Sequence, residues 1–366
     1  MFRPTRYHHG MPIESTRGRG ATRNDSPARF NLRAHVADGD WLDQVEAIDG
    51  VAPRRTTVSI ERPKTILTRN SSPDIGFDRS VNPYRGCEHG CVYCFARPTH
   101  AYHDLSPGVD FESRLFAKPD APRLLHETLG RKGYAPAPIA LGTNTDPYQP
   151  IEGRWKVTRG VLEVLVDCDH PFTITTKSDR VLRDLDLIAA AARKKLAAVA
   201  LSVTSLEPRT HATLEPRAPA PRKRLEAIRQ LAAAGVPVYL SVSPVIPHIT
   251  DHEMEAIVAA GAAAGARSAF FLPVRLPHEV APLFKDWLET HYPDRARKVM
   301  ATIRELRGGR DNDPEFFSRL RGTGVWAELF QRRFAKACRD AGLSRQKFAL
   351  NCALFRAPAG DQLRLL

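Results

Sequence analysis

Between residues 71 and 275, short apolar or β-branched runs alternate with longer stretches whose apolar positions recur at helical spacing. The short runs suit strands covered on both faces, and the periodic stretches suit helices with one buried stripe. A first strand leads into the loop around residue 87, and further strands are predicted at Pro138–Gly142, Phe172–Thr176, Leu196–Val203, Val236–Val242 and Ala269–Pro273. Helices are predicted between them near Ala121–Arg131, Val157–Asp167, Val181–Lys194, Pro221–Ala234 and His252–Ala264. Gly235 and Gly265 stand where a helix would stop before the next strand.

Strands alternating with helices imply a parallel sheet. Eight such units close a barrel, so six give an α/β fold of the open kind, a partial (β/α)6 TIM-type barrel. Its functional face is expected at the C-terminal strand ends, where the βα loops gather. From residue 276 the pattern is helical, with Trp287, Tyr292, Trp326 and Phe330 as expected core anchors, and 276–366 reads as a C-terminal helical extension that caps the core. Residues 1 to about 35 are rich in Arg, Gly, Pro and Ser, and read as a disordered basic N-terminal arm. Residues 36–70 read as an extension with a short strand at Thr56–Ile60. The expected division is therefore 1–70 for arm and extension, 71–275 for the barrel core and 276–366 for the helical region.

Composition alters this picture little. The 366 residues are 42% hydrophobic, ordinary for a folded domain with appendages. No apolar run approaches the ~20 residues of a membrane span, and the N-terminus lacks the apolar core of a secretory signal. A cytoplasmic location and no membrane partner are the expectations. The formal net charge of +13 favours polyanions such as nucleic acid. Arginine-rich chains are often basic without such a partner, so charge alone leaves the point open.

The cysteines carry more. Cys87, Cys91 and Cys94 crowd one loop, Asn82-Pro83-Tyr84-Arg85-Gly86-Cys87-Glu88-His89-Gly90-Cys91-Val92-Tyr93-Cys94, whereas Cys168, Cys338 and Cys352 are scattered and read as buried free thiols. Neighbouring thiols this close are too cramped for an easy disulfide. Three soft ligands converging on one point suit an iron–sulfur cluster, and a cubane held by three cysteines keeps one iron open to an external ligand. Zinc on Cys91, Cys94, His100 and His103 is the alternative metal site, and it leaves Cys87 idle. A redox pair at Cys91 and Cys94 ignores Cys87 as well. His89, His100 and His103 otherwise read as polar loop residues.

Other chemistry-bearing residues fall at predicted strand ends. The turn Thr143-Asn144-Thr145-Asp146-Pro147-Tyr148-Gln149-Pro150 crowds small polar groups that can bind a charged ligand. Lys177, after the third strand, is a poor core residue and suits a carboxylate. Alternation puts Ser202 and Thr204 on one face of the fourth strand. Glu215 and Arg217 precede a helix and read equally as ligand contacts or as a local ion pair.

The cysteine loop, with its aromatic Tyr93 before the last cysteine, resembles the signature of the radical S-adenosylmethionine (SAM) superfamily. Asn82-Pro83-Tyr84-Arg85-Gly86-Cys87, Asn144-Thr145-Asp146-Pro147-Tyr148-Gln149-Pro150 and Leu214-Glu215-Pro216-Arg217-Ala218 resemble an uncharacterised branch related to spore photoproduct lyase. The resemblance covers about residues 75–320. It implies a [4Fe–4S] cluster on Cys87, Cys91 and Cys94, with S-adenosyl-L-methionine chelating the open iron. It implies that the cofactor is cleaved reductively to a 5′-deoxyadenosyl radical, which takes hydrogen from a substrate, nucleic acid being one option, and that an external one-electron donor such as flavodoxin or ferredoxin is needed. Tyr93 would then lie near the adenine, Lys177 would take the methionyl carboxylate, and Ser202 would face the cofactor. Many members carry Gly-Gly-Glu for the methionyl amine; here that duty would fall on Asn144, Thr145 or backbone groups, with Asp146 as a further amine partner. Lyases of this kind place a hydrogen-donating cysteine where Thr143 stands, and a hydroxyl is a poor donor to a carbon radical. Tyr84, Tyr93, Tyr102 and Tyr148 remain as relay candidates. The competing classes are a metal-stapled basic nucleic-acid-binding protein without catalysis, and an electron-transfer protein.

Overall fold

The structure is a computed structural model, and it describes residues 19–21, 24 and 55–358. Ten strands are present among the described residues: β1 (Thr57–Ile60), β2 (Leu67–Arg69), β3 (Arg79–Val81), β4 (Tyr84–Arg85), β5 (Arg114–Ala117), β6 (Ile139–Leu141), β7 (Phe172–Thr176), β8 (Ala197–Ser202), β9 (Val238–Val245) and β10 (Ser268–Pro273). Seven form one sheet in the order β10-β9-β8-β7-β6-β3-β2. Its neighbours pair in parallel from β3 to β10, and β2 alone is antiparallel, at the β3 edge. This is the expected partial barrel, with six parallel strands and an open side between β10 and β2.

Helices Ala121–Leu129, Val157–Asp167, Leu185–Arg193, Pro221–Ala233 and Met254–Ala263 cover the sheet in the predicted alternation. Gly235 and Gly265 end two of them at φ +79° and +100°, a left-handed conformation that costs glycine little. Val161, Leu165 and Ile188 pack with Phe172, Ile174, Val199 and Leu201 in the main core. The alternation of a strand then turns Thr173, Thr175 and Lys177, and likewise Ala200, Ser202 and Thr204, to the inner face.

The sequence pattern did not reveal the second sheet, β1-β5-β4, in which β1 and β5 pair in parallel. Its strands have two to four residues, too few to show a period, and β1 is mostly exposed.

Beyond β10 run helices Val280–His291, Pro293–Leu306 and Gly324–Asp340. Trp287 and Phe330 are fully buried, whereas Tyr292 and Trp326 are half-buried. Phe334 meets Phe271 of β10 at 4.8 Å between ring centroids, fixing the last helix against the barrel's outer face. Val280, Phe284, Trp287 and Ile303 pack instead with Cys91, Val92 and Tyr93, walling the cysteine loop. Between these helices, Arg307 donates to the carbonyl oxygens of Pro273 and Val274 at the end of β10, and Arg319 pairs with Asp74 between β2 and β3 at 2.6 Å. This segment thereby spans the open side of the barrel.

Four residues of the stretch read as a disordered arm, Arg19, Gly20, Ala21 and Asn24, are described and dock on the core; the rest of that expectation lies outside the described residues.

Candidate functional site

The three thiols of the cysteine loop are free and follow β3 of the barrel sheet and β4 of the small sheet, on the side of the barrel strands' C-terminal ends. Cys87 and Cys91 are buried and Cys94 is half-buried. Cys94 packs against both of the other two hydrophobic environments, that of Cys87 and that of Cys91. Burial pushes the Cys87 thiol well above its usual range, with Asp146 and the two other cysteines adding to the shift. Burial likewise pushes Cys91 to about 12, and Lys177 opposes that rise. Thiols this reluctant to ionise in apolar surroundings are poor free nucleophiles, and a cation beside them would be needed to hold them as thiolates. Among the described residues no three Cys, His, Asp or Glu side chains converge as they would on a single ion. The corners of a cubane lie further apart than ligands of one ion, and three soft donors with no hard ones fit iron and sulfide by their chemistry.

Backbone contacts alone do not hold the loop. Gln149 donates from Nε2 to Gly86 O at 3.0 Å and accepts the Glu88 amide at 3.0 Å. The Thr145 hydroxyl donates to Gly86 O at 2.7 Å, so its single proton is spent on the loop. Arg97 is fully buried and uses all five of its N–H donors. They reach Cys91 O, Gly90 O, Pro107 O, Gly108 O and the Glu112 carboxylate at 2.5–3.1 Å. Asp146 ties three elements together, accepting the Thr176 hydroxyl at 2.6 Å and the Lys177 amide at 2.8 Å while facing His89 at 3.3 Å. Burial alone would raise its pKa, but His89 and these hydrogen bonds hold it near 2. The carboxylate expected as an amine partner is therefore a brace between β6, β7 and the loop.

Beside the thiols, the Lys177 ammonium lies 5.7 Å from the centroid of the Tyr93 ring. Burial disfavours its charge, but Cys91 and Glu215 more than offset that, and its pKa ends above the ordinary value. No described carboxylate is within ion-pair distance of Lys177, so it is a held cation without a paired anion. The Tyr93 hydroxyl donates to Glu215, which also accepts the Thr204 hydroxyl at 2.7 Å and pairs with the buried Arg224. Arg224 continues to Ser202 O at 2.9 Å, joining the loop aromatic to the end of β8. The Asn144 amide donates to Asn82 Oδ1 at 2.9 Å, and the Thr143 hydroxyl stands 3.1 Å from Asn82 Nδ2.

Sequence reasoning missed Arg97, Glu112, Gln149 and Arg224. Of the zinc alternative, His100 is buried against Phe111, its Nε2 lies 2.8 Å from Arg114 O, and burial lowers its pKa to about 4. Among the relay candidates, Tyr84 and Tyr148 are buried and donate to Glu152 and Asp184, whereas Tyr102 is exposed. Cys168 precedes β7, and Arg356 donates its amide to Cys168 O at 2.9 Å, so Cys168 lies at the opposite end of the strands from the loop. Cys352 is near it, since Asn351 donates to Lys195 O before β8. Cys338 lies on the last helix.

An open parallel barrel bearing three loop thiols at its C-terminal face, with a lysine that has no ion-pair partner among the described residues, defines a cluster-dependent enzyme class. The chain belongs to the Radical SAM superfamily, whose profile matches residues 81–260. It is 37% identical over 248 residues to an uncharacterized protein of Mycobacterium tuberculosis (strain H37Rv), covering 67% of this chain and 72% of that one. It is 30% identical over 223 residues to an uncharacterized protein of Methanocaldococcus jannaschii, covering 58% of this chain and 76% of that one. Among solved structures, a complex of spore photoproduct lyase with a dinucleoside spore photoproduct matches at a TM-score of 0.56 and 16% identity, over 80% of this chain and 82% of the other. A variant of that lyase with the same ligand matches at 0.57 and 15%, over 88% and 89%. At that identity the likeness concerns the fold. Membership makes the chain a radical SAM enzyme, so the non-catalytic metal-stapled reading falls. It implies a [4Fe–4S] cluster, S-adenosylmethionine, a reductant and a substrate. Among the described residues no helix is long and apolar enough to cross a membrane.

Proposed function

We propose that Cys87, Cys91 and Cys94 hold the [4Fe–4S] cluster and that Lys177 binds the carboxylate of S-adenosylmethionine beside it. The observation that carries this reading is the pairing of three free loop thiols with a half-buried, electrostatically stabilised lysine that has no ion-pair partner among the described residues. When bound, the cluster and cofactor supply a one-electron cleavage of the sulfonium to a 5′-deoxyadenosyl radical that abstracts hydrogen from the substrate.

The chain's own contribution is placement and dryness. Arg97, Gln149 and Thr145 fix the loop carbonyls, and Val92 with Trp287 and Phe284 keeps water from its back. Tyr93 is held by Glu215, which sets the ring plane against which an adenine would stack. The parity of β8 favours Ser202 on the inner face, which supports a role for it toward the cofactor, and Asn144, in the turn after β6, is the candidate for the methionyl amine.

The substrate class best supported is nucleic acid. The fold is that of a lyase solved with a dinucleoside photoproduct, and the net charge is +13. The lyase's own reaction is a poorer fit, because Thr143 occupies the place expected of a hydrogen-donating thiol. A flavodoxin or ferredoxin is the expected reductant.

The test is anaerobic purification with iron and sulfide analysis, followed by reduction in the presence of S-adenosylmethionine. Formation of 5′-deoxyadenosine by wild type, and its loss in Cys91→Ala, is expected. A fully loaded cluster that yields none would sink the proposal.

A further inference from the structure

The described residues near the N-terminus lie on the cysteine loop. The Gly20 and Ala21 amides donate to the two oxygens of Glu112 at 3.0 and 2.8 Å, and Arg19 donates to Glu112 O at 2.6 Å. Asn24 and Asp110 exchange two hydrogen bonds, at 3.1 and 3.0 Å. These contacts join residues 86 to 93 positions apart in the chain. Ala21 is buried with Val109 and with Leu283 of the C-terminal helices.

The partner Glu112 is not a surface acid. It is fully buried, and its other contact is Arg97, which grips Gly90 O and Cys91 O between the first two cysteines. A buried ion pair is stable only when its remaining lone pairs and protons are satisfied. Arg97 is satisfied by the loop, and Glu112 is satisfied by Gly20 and Ala21. The close approach also has a steric signature. A Cβ on Gly20 would lie 1.7 Å from Gly90 O, and one on Gly90, at φ +68°, would lie 2.8 Å from Glu112 Oε2. Two glycines facing each other across this contact allow one backbone to lie on the other. Arg19 extends the same seal through Thr56 at 3.2 Å, whose hydroxyl donates to Glu88 at 2.6 Å, within the loop itself.

We propose that Arg19, Gly20, Ala21 and Asn24 act as a strap that holds the cysteine loop in its cluster-binding shape and covers its outer side, so that retention of the cluster depends on residues far upstream. Gly20 and Asn24 are positioning residues that act through Glu112, Asp110 and Arg97. The proposal rests on the assignment of the three cysteines as cluster ligands for its consequence, but not for the contact itself.

Two variants undock the strap without substituting a loop residue: Gly20→Ala by collision with Gly90 O, and Asn24→Asp by placing a second carboxylate against Asp110, away from Gly90. Hydrogen exchange of the full-length chain without cluster reads the contact alone. Amides of residues 86–95 are expected to exchange at least about tenfold faster in either variant, with those of β7 and β8 unchanged, since even one lost charge-assisted hydrogen bond is of that order. In the reconstituted protein the rate of iron and sulfide loss in air is expected to rise about tenfold as well. Unchanged exchange in the loop overturns the strap. Faster exchange with unchanged cluster loss overturns its role toward the cluster. If wild type takes up no cluster but its loop exchange still depends on Gly20, the cluster reading fails while the contact stands.

Discussion

Lys177 and Tyr93 come from different βα loops, yet the lysine ammonium lies 5.7 Å from the tyrosine ring centroid, with Cys91 near enough to interact with that lysine. A cation, an aromatic face and a thiol are thereby gathered at one point on the functional end of the barrel. On the proposed reading each of the three has a separate part in binding S-adenosylmethionine, and the parts can be separated by substitution.

Lys177→Met keeps the length of the side chain and removes the charge. A charge-assisted hydrogen bond to a carboxylate contributes about 1.5–3 kcal/mol, so affinity for S-adenosylmethionine is expected to fall about ten- to a hundredfold. Iron and sulfide content should not change. Equilibrium binding to anaerobically reconstituted protein checks this, and an unaltered affinity would remove Lys177 from the site.

Glu215 and Arg224 form a buried ion pair that supports Tyr93, Thr204 and Ser202 O together. Burial alone would raise the Glu215 pKa, but Arg224, His211 and Lys177 hold it well below the usual carboxylate range. Removing one partner strands the other charge away from water. Glu215→Ala or Arg224→Met is each expected to cost about 3–5 kcal/mol of folding stability, whereas the double substitution should cost less than their sum. Denaturant unfolding of the four proteins gives the coupling directly, and strict additivity would mean that the pair is not a unit.

This pair also shows where sequence reading stops. The strands from β6 to β10 and the helices between them were legible because each repeats a local period over many residues, and Phe172–Thr176 and Val157–Asp167 match residue for residue. The cysteines were legible because their spacing is local. Arg224 sits in the run Arg222-Lys223-Arg224, where a charge reads as solvated surface, and only the fold brings Glu215 and Ser202 O to it. Glu112 carries no local signal at all, and only the fold sets Arg97 and Ala21 around it. Buried polar partners are chosen by long-range geometry, which hydrophobic periodicity does not encode. The same limit applied to Thr145, whose polar turn pointed to a ligand while its proton goes to Gly86 O.

Gln149 is a second brace that only the structure exposes. It satisfies Gly86 O and the Glu88 amide on either side of Cys87. Gln149→Leu preserves volume and leaves both backbone groups buried without that partner, at a cost of about 1–3 kcal/mol for each group left unmet. The expected result is a less stable chain that takes up substoichiometric iron under conditions that load wild type fully. Iron analysis alongside thermal unfolding separates the two effects, and full loading would show that Thr145 alone suffices to hold Gly86.

His170 gives a pH dependence far from the cluster loop. It precedes β7, its Nδ1 lies 2.9 Å from Pro171 O, and its Nε2 lies 2.8 Å from the Tyr134 hydroxyl. Nδ1 must carry the proton to donate to that carbonyl, which leaves Nε2 to accept from Tyr134. Burial lowers the pKa from 6.5 to about 4, with the nearby Arg79 adding to the shift. A histidine whose folded pKa is depressed binds its proton more readily in the unfolded chain. Its contribution is therefore intact above pH 6.5, fades as the pH falls from there toward 4, and changes no further below that. Over that window the loss is on the order of 3 kcal/mol, at about 1.4 kcal/mol for each pH unit of separation. His100, lowered to about 4 by its own burial, acts in the same direction, so the wild-type slope contains both. The part due to His170 is the difference between wild type and His170→Gln. The variant is expected to be less stable at pH 7 and to lose less additional stability by pH 4.5. Urea unfolding across that range measures it, and parallel curves for the two proteins would mean that the pKa of His170 is not depressed by folding.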